Sequence, residues 1–273
     1  MRYWLFPTCG AVWLALAGLP AVAAEIGPDV LANLPPARIV IVGEIHDNPV
    51  HHLHQARVVA AIHPSALVFE MLTPNQAKAA VGVDRQDPLA LEVALGWAGS
   101  GWPAFEMYHP IFTAAPDAQI FGAALPRETV RRAMTDGAAE VFGPEAARFG
   151  LDQPLPLAEQ SAREADQQTA HCNALPPDIL PAMVAAQRLR DAAFSRTALE
   201  ALRLTGGPVV VITGSGHADK GRGMPVALGM AAPDISVLSI GQLEQHPGSD
   251  APFDLWIVTN PVDREDPCKG FGG

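Results

Sequence analysis

The stretch RIVIVGEIHDN, residues 38–48, passes from an unbroken apolar, β-branched run into a glycine and then into a cluster of titratable groups. Arg38 to Gly43 shows no alternation of polar and apolar side chains, the pattern of a strand covered on both faces. Further runs rich in β-branched residues lie at Ala66 to Glu70, Gln119 to Ala123, Pro208 to Thr213, Ile235 to Ser239 and Asp254 to Val258. Helical stretches separate them, at about 50–62, 74–98 with a break near Asp84, 127–137, 156–170 and 178–204. This alternation predicts an α/β fold in which a mostly parallel sheet carries helices on both sides.

Ligands of open α/β sheets bind beyond the carboxyl ends of the strands, so the residues that leave each strand carry the functional reading. Glu44-Ile45-His46-Asp47-Asn48 follows the first strand, and Phe69-Glu70-Met71 closes the second. Leu125-Pro126-Arg127 follows the third, and Gly214-Ser215-Gly216-His217 the fourth. Gly43 and Gly214 are read as sharp turns that aim His46 and His217 into a shared crevice. With Glu44 and Glu70 they form a set of imidazoles and carboxylates suited to a divalent metal such as Zn, Mn or Fe, or to general acid–base work.

Neighbouring residues give a less specific signal. Asn48 and Pro49 read as the start of a helix, from which His51 would reach the crevice while His52 and His54 face solvent. Asp47 reads as a turn residue or as the group that fixes the tautomer of His46. Arg127, Lys220 and Arg222 are candidates to pair with ligand carboxylates, Arg127 most rigidly through its planar fork. Trp102 to Pro110 is the aromatic segment. Core packing is the plain reading of Trp102 and Phe105, whereas Tyr108 or His109 would offer an oxygen or nitrogen to a metal centre. A C-x-x-C-H motif, a Gly-x-Ser-x-Gly elbow and a Walker loop are all absent from the sequence.

Composition sets the frame. Residues 1–24 read as a secretory signal: Arg2, an apolar stretch over 4–19, and a cut after Ala23 or Ala24. Cys9 lacks the preceding apolar run of a lipoprotein site. The remaining residues 25–273 are expected to form one domain with a loose tail after Pro261, in the periplasm or cell envelope. They contain no further apolar run long enough to span a bilayer. The chain is 49% hydrophobic and 17% charged, enough apolar content for a sizeable core. Its net charge of −11 disfavours nucleic acid as a partner. Cys172 and Cys268 are the two cysteines after the signal. In an oxidising compartment they are expected to pair, with two buried thiols as the alternative.

The residues GEIHDNPVHHLHQ (43–55), VFEMLTPNQ (68–76), GWPAFEMYHPIF (101–112), LPRETVRR (125–132), AHCNALP (170–176), AAQRLRDAAF (185–194), GSGHADKGRGMPVAL (214–228) and DREDPC (263–268) together resemble the ChaN-like haem-binding family of the Tiki and EreA-like superfamily. The resemblance implies a three-layer α/β/α fold with a mostly parallel, mixed sheet, and an exported protein of haem or iron acquisition. Family members are often lipoproteins, and the missing lipid-attachment signature departs from that pattern. Haem is the expected cofactor, with Tyr108, His51 and His109 as candidate iron ligands, and a homodimer is left open. Tiki-like relatives imply the alternative of a divalent-metal-dependent hydrolase, in which His46, Glu70 and His217 hold the metal and Glu44 is the base. The sequence leaves open whether the protein is an enzyme.

Overall fold

The structure, a computed structural model, describes residues 23–248 and 251–270. Residues 1–22 of the expected signal lie outside that range. Strands form at Ala24–Glu25 (β1), Ile39–Glu44 (β2), Ala66–Phe69 (β3), Gln119–Gly122 (β4), Val209–Gly214 (β5), Val237–Leu243 (β6) and Leu255–Val258 (β7). Helices form at Pro49–Ile62 (α1), Pro74–Ala79 (α2), Pro88–Leu95 (α3), Phe105–Thr113 (α4), Arg127–Asp136 (α5), Ala138–Phe142 (α6), Leu157–Ala170 (α7), Leu180–Thr205 (α8), Ser215–Ala218 (α9) and Met224–Ala231 (α10).

The strands make one seven-stranded sheet in the order β1-β7-β6-β2-β5-β3-β4. Every pairing among them is parallel. Successive side chains of a strand point to opposite faces. Ile39, Ile41, Val68, Val209 and Val211 therefore pack on one side with α8 and α10, through Leu189, Ala192, Met224 and Leu228. Val40, Val42, Phe69, Val210 and Ile212 pack on the other with α1 and α4, through Val58, Val59, Phe105 and Phe112. These two cores give the three layers that the resemblance implies.

Chain routing fixes where a crevice opens. β2 continues into α1 on one face, whereas its neighbour β5 continues through α9 into α10 on the other. Adjacent strands whose exits part in this way leave a gap between their carboxyl ends. The register sets Gly43 beside Thr213 and Glu44 beside Gly214 at that gap.

Several expectations need adjustment. The segment 74–98 does break around Asp84, into two helices that are shorter than the expected stretch, with Asp87 capping α3 by accepting from the Ala90 N–H at 3.0 Å. α4 occupies the aromatic segment, and Pro110 sits inside it without ending it. β6 runs further than Ile235 to Ser239 because Gln242, though polar, is fully satisfied inside: its amide donates to the carbonyls of Gly43 at 2.8 Å and His51 at 3.1 Å. β1 is too short to leave a sequence pattern and pairs at the sheet edge with Leu255 and Trp256.

Cys172, just after α7, is bonded to Cys268 across 96 residues of sequence, which ties the tail to the helical layer. Closing a loop of that length removes entropy from the unfolded chain equivalent to about 4 to 5 kcal/mol. The Cys172→Ser, Cys268→Ser double variant is expected to lose stability of that order in urea unfolding; an unchanged midpoint would show that the bridge contributes nothing.

Candidate functional site

At the end of β2, Glu44 is buried and both carboxylate oxygens are engaged twice. Oε1 accepts from the Tyr108 hydroxyl and from His46 Nδ1, each at 2.7 Å. Oε2 accepts from the Gln55 amide at 2.6 Å and faces His52 Nδ1 at 3.3 Å. Burial opposes charge on Glu44, yet the bonds from His46 and His52 outweigh it and hold the carboxyl below its ordinary value. Both nitrogens of His52 face acceptors, Gln55 Oε1 at 3.1 Å and the His46 carbonyl at 2.9 Å, and with Glu44 beside it these raise the imidazole above its ordinary value despite burial.

His51 and His54 are buried as well. The expectation that His52 and His54 face solvent is thus corrected: α1 lies against β2 and β6, and its first turn closes over buried acceptors. Asn48 does cap this helix, accepting from the Val50 N–H at 3.0 Å. His51 Nδ1 accepts from the Ile45 N–H at 2.8 Å and its Nε2 donates to Thr259 Oγ1 at 2.7 Å. Burial lowers this neutral imidazole to about 4. Asp47 does not touch His46; it pairs with Arg264, which also holds Glu244.

Across the gap, Glu70 accepts from the Thr213 hydroxyl at 2.7 Å and the Gly214 N–H at 2.8 Å. Its other oxygen faces His217 Nε2 at 3.5 Å, while His217 Nδ1 donates to Asp191 of α8 at 2.6 Å. Burial alone would lower His217, but Glu70 and Asp191 outweigh it and raise the imidazole to about 10 from an ordinary 6.5. Glu70 is held well below the carboxylate range despite its burial, chiefly by His217.

Gly214 has φ −63°, ψ 147°, and Gly43 lies within β2, so neither glycine supplies the sharp turn that was expected. The reason for glycine here is close approach. A Cβ on Gly43 would stand 2.8 Å from the Ser215 Cα, and one on Gly214 would stand 3.1 Å from His46 Nε2 and 3.7 Å from Glu70 Oε2. His46, Glu70 and His217 are therefore brought together. Among the described residues, however, no group of three or more His, Cys, Asp or Glu side chains is disposed to hold a metal ion. His217 is bonded at both nitrogens, and Glu44 has no oxygen left to act as a base.

Beside this cluster opens a cavity of about 700 Å³. Met71, Trp102, Leu125, Pro126, Val130 and Phe194 supply its apolar walls. Glu70, Arg127, Arg131 and Arg190 are also in the lining. Trp102 meets the His46 ring edge-on with centroids 4.9 Å apart, linking cluster and cavity. Among the described residues none of the three arginines makes an ion pair. Arg131 and Arg190 escaped sequence reading, although Arg131 stands one helical turn from Arg127 and would share its face. Asp191 and Thr213 escaped it too, since each acts only through a partner distant in sequence.

The other expected site residues fall elsewhere. Tyr108 is fully buried under Glu44, and His109 Nε2 donates to the Arg85 carbonyl at 2.8 Å. Lys220 pairs with Asp254, and Arg222 with Asp166. None of these lines the arginine cavity.

A family model described as haem-binding uptake, Tiki superfamily, ChaN matches residues 30–228. The chain belongs to the ChaN family. Its fold is shared with ChaN of Campylobacter jejuni, in a structure describing cofacial haem binding to that protein: the TM-score is 0.60 at 17% identity, covering 82% of this chain and 87% of the other. More distant are the type III effector HopBA1, with a TM-score of 0.44 at 12% identity over 82% of this chain and 88% of the other, and the erythromycin esterase EreC in its open conformation, with 0.37 at 16% over 86% and 79%. Among curated proteins none matches the chain. No helix of the described residues in this ChaN-family protein is long and apolar enough to cross a membrane.

The charge on His217 has a testable consequence. Because its folded pKa lies above the ordinary 6.5, its contribution to stability is complete below that pH and is lost as pH rises toward about 10. Urea unfolding free energies should fall between pH 7 and 10, and Asp191→Asn, which removes one of the stabilising carboxylates, should flatten that slope. An identical slope in both proteins would contradict the charged assignment.

Proposed function

We propose that this protein binds haem in the arginine-lined cavity and serves haem or iron acquisition in the cell envelope. The observation that carries the reading is the set of Arg127, Arg131 and Arg190 around an otherwise largely apolar cavity, in a chain with net charge −11. A cavity of about 700 Å³ falls in the range of cofactor sites, roughly 300 to 1,000 Å³. Haem is a flat apolar ring with two carboxylates at one edge. The apolar walls match the ring, and guanidinium forks match the carboxylates with two parallel hydrogen bonds each. Bound haem would supply a redox-active iron; the residues named here account for its seating.

Export rests on the signal-like residues 1–24, and a homodimer belongs to the same reading. Sedimentation velocity with and without haemin tests the second point. The binding claim is tested by titrating the protein with haemin and following the Soret band. Arg127→Ala, Arg131→Ala and Arg190→Ala are each expected to weaken affinity by about 10- to 100-fold, the worth of one hydrogen bond to a charged group. Absence of saturable binding in the wild type, or unchanged affinity in all three variants, would overturn the reading.

A further inference from the structure

We propose that a second cavity, on the α8 and α10 side of the sheet, binds a free α-amino acid with an apolar side chain, its ammonium on Asp191 and its carboxylate on Arg188. The cavity measures about 310 Å³ and shares no lining residue with the arginine cavity, so the inference stands apart from the haem reading. That volume lies at the small end of ligand sites, roughly 300 to 1,000 Å³. Phe149, Leu151, Leu155, Val226 and Met230 form its apolar walls.

Two opposite charges in the lining are each committed on one side only. Asp191 is 4% exposed and spends Oδ1 on His217 Nδ1 at 2.6 Å. Its Oδ2 has no donor among the described residues, and it is not sealed in, because the fully enclosed side-chain polar atom without a partner among those residues is Gln168 Oε1. A smaller cavity of about 200 Å³ shares Arg163, Asp191 and Arg222 with the first, so this carboxylate stands where the two meet. Arg188, half-buried, donates through Nη2 to the carbonyls of Gly150 at 2.6 Å and Gln153 at 2.9 Å. Its Nε and Nη1 have no acceptor among the described residues, and it makes no ion pair with them. Arg163 and Arg222, the other cations of the lining, are taken up by Glu159 and Asp166.

Three residues apart on one helix, Arg188 and Asp191 would ordinarily bridge each other. Here each is drawn away, the arginine by the backbone at Gly150 and Gln153 and the aspartate by His217, which leaves both facing the cavity unbridged. A charge taken out of water without a counter-charge is costly, and a compact zwitterion supplies both counter-charges at once. An amine or an acid alone would satisfy one group and leave the other bare. The apolar walls select a side chain of the leucine type.

Isothermal titration calorimetry on the full chain tests this with L-leucine, isopentylamine, 4-methylpentanoate and leucylglycine. L-Leucine is expected to bind saturably, and the amine and the acid, each lacking one charge, at least about 10-fold more weakly, the worth of one hydrogen bond to a charged group. Leucylglycine, with its charges on separate residues, should also bind more weakly. Asp191→Asn should weaken L-leucine by about 10-fold or more, and Leu155→Trp, which fills the cavity, should abolish its binding in a protein that melts as the wild type does. No saturable heat with L-leucine in the folded wild type overturns the proposal. Amine or acid binding as tight as that of L-leucine does so too, since the two charges would then play no part. L-Leucine binding unchanged in Leu155→Trp overturns the location, and tighter binding of leucylglycine overturns the free amino acid in favour of a peptide end.

Discussion

A carboxylate taken wholly out of water is tolerable only when donors replace its hydration, and Glu44 imposes that requirement at the centre of this fold. Its donors come from separate elements: Tyr108 from α4, His52 and Gln55 from α1, and His46 from the loop between β2 and α1. Satisfying it therefore docks two helices against one strand end and fixes the ring of His46. A second buried carboxylate, Glu70, does the same across the gap, drawing in the backbone of β5 and, through His217 and Asp191, helix α8. The two cores on either face of the sheet supply the bulk of the burial. These polar knots determine how the layers meet at the functional end.

The position of the knots follows from topology. Because β2 and β5 are neighbours with exits to opposite faces, their carboxyl ends stand side by side with a gap between them. The glycines beside that gap keep it narrow: any larger residue at 43 would press on the Ser215 backbone, and at 214 on His46. The arginine cavity opens alongside, where α5 and α8 bring Arg127, Arg131 and Arg190 to the ends of β3 and β4. This end of the sheet is thereby divided between a rigid buried cluster, which fixes one imidazole, and an exposed cationic wall.

Much of this was legible in the sequence, and what was not has definite causes. Apolar runs such as Ile39 to Val42 and Val209 to Ile212 announce doubly covered strands without ambiguity, and both Gly-x-x-His segments sit at the strand ends where they were expected. Asn48 and Pro49 mark the helix start, and the pairing of Cys172 with Cys268 agrees with the cysteine count. The fate of His52 and His54 was hidden because α1 has histidines and Gln55 facing inward, so its polar inner face mimics a solvated one. Arg190 and Asp191 were hidden inside a 26-residue helix whose charges otherwise look like a solvent-facing stripe. Gly214 was misread because composition cannot distinguish a glycine needed for positive φ from one needed for space.

The central claim is that the arginine-lined cavity holds haem, with its carboxylates on the arginines. Anomalous scattering at the iron edge from a crystal of the haemin complex measures this directly. The account predicts one strong iron peak in the cavity, with porphyrin density reaching Arg127, Arg131 and Arg190. An iron peak away from this cavity would contradict it.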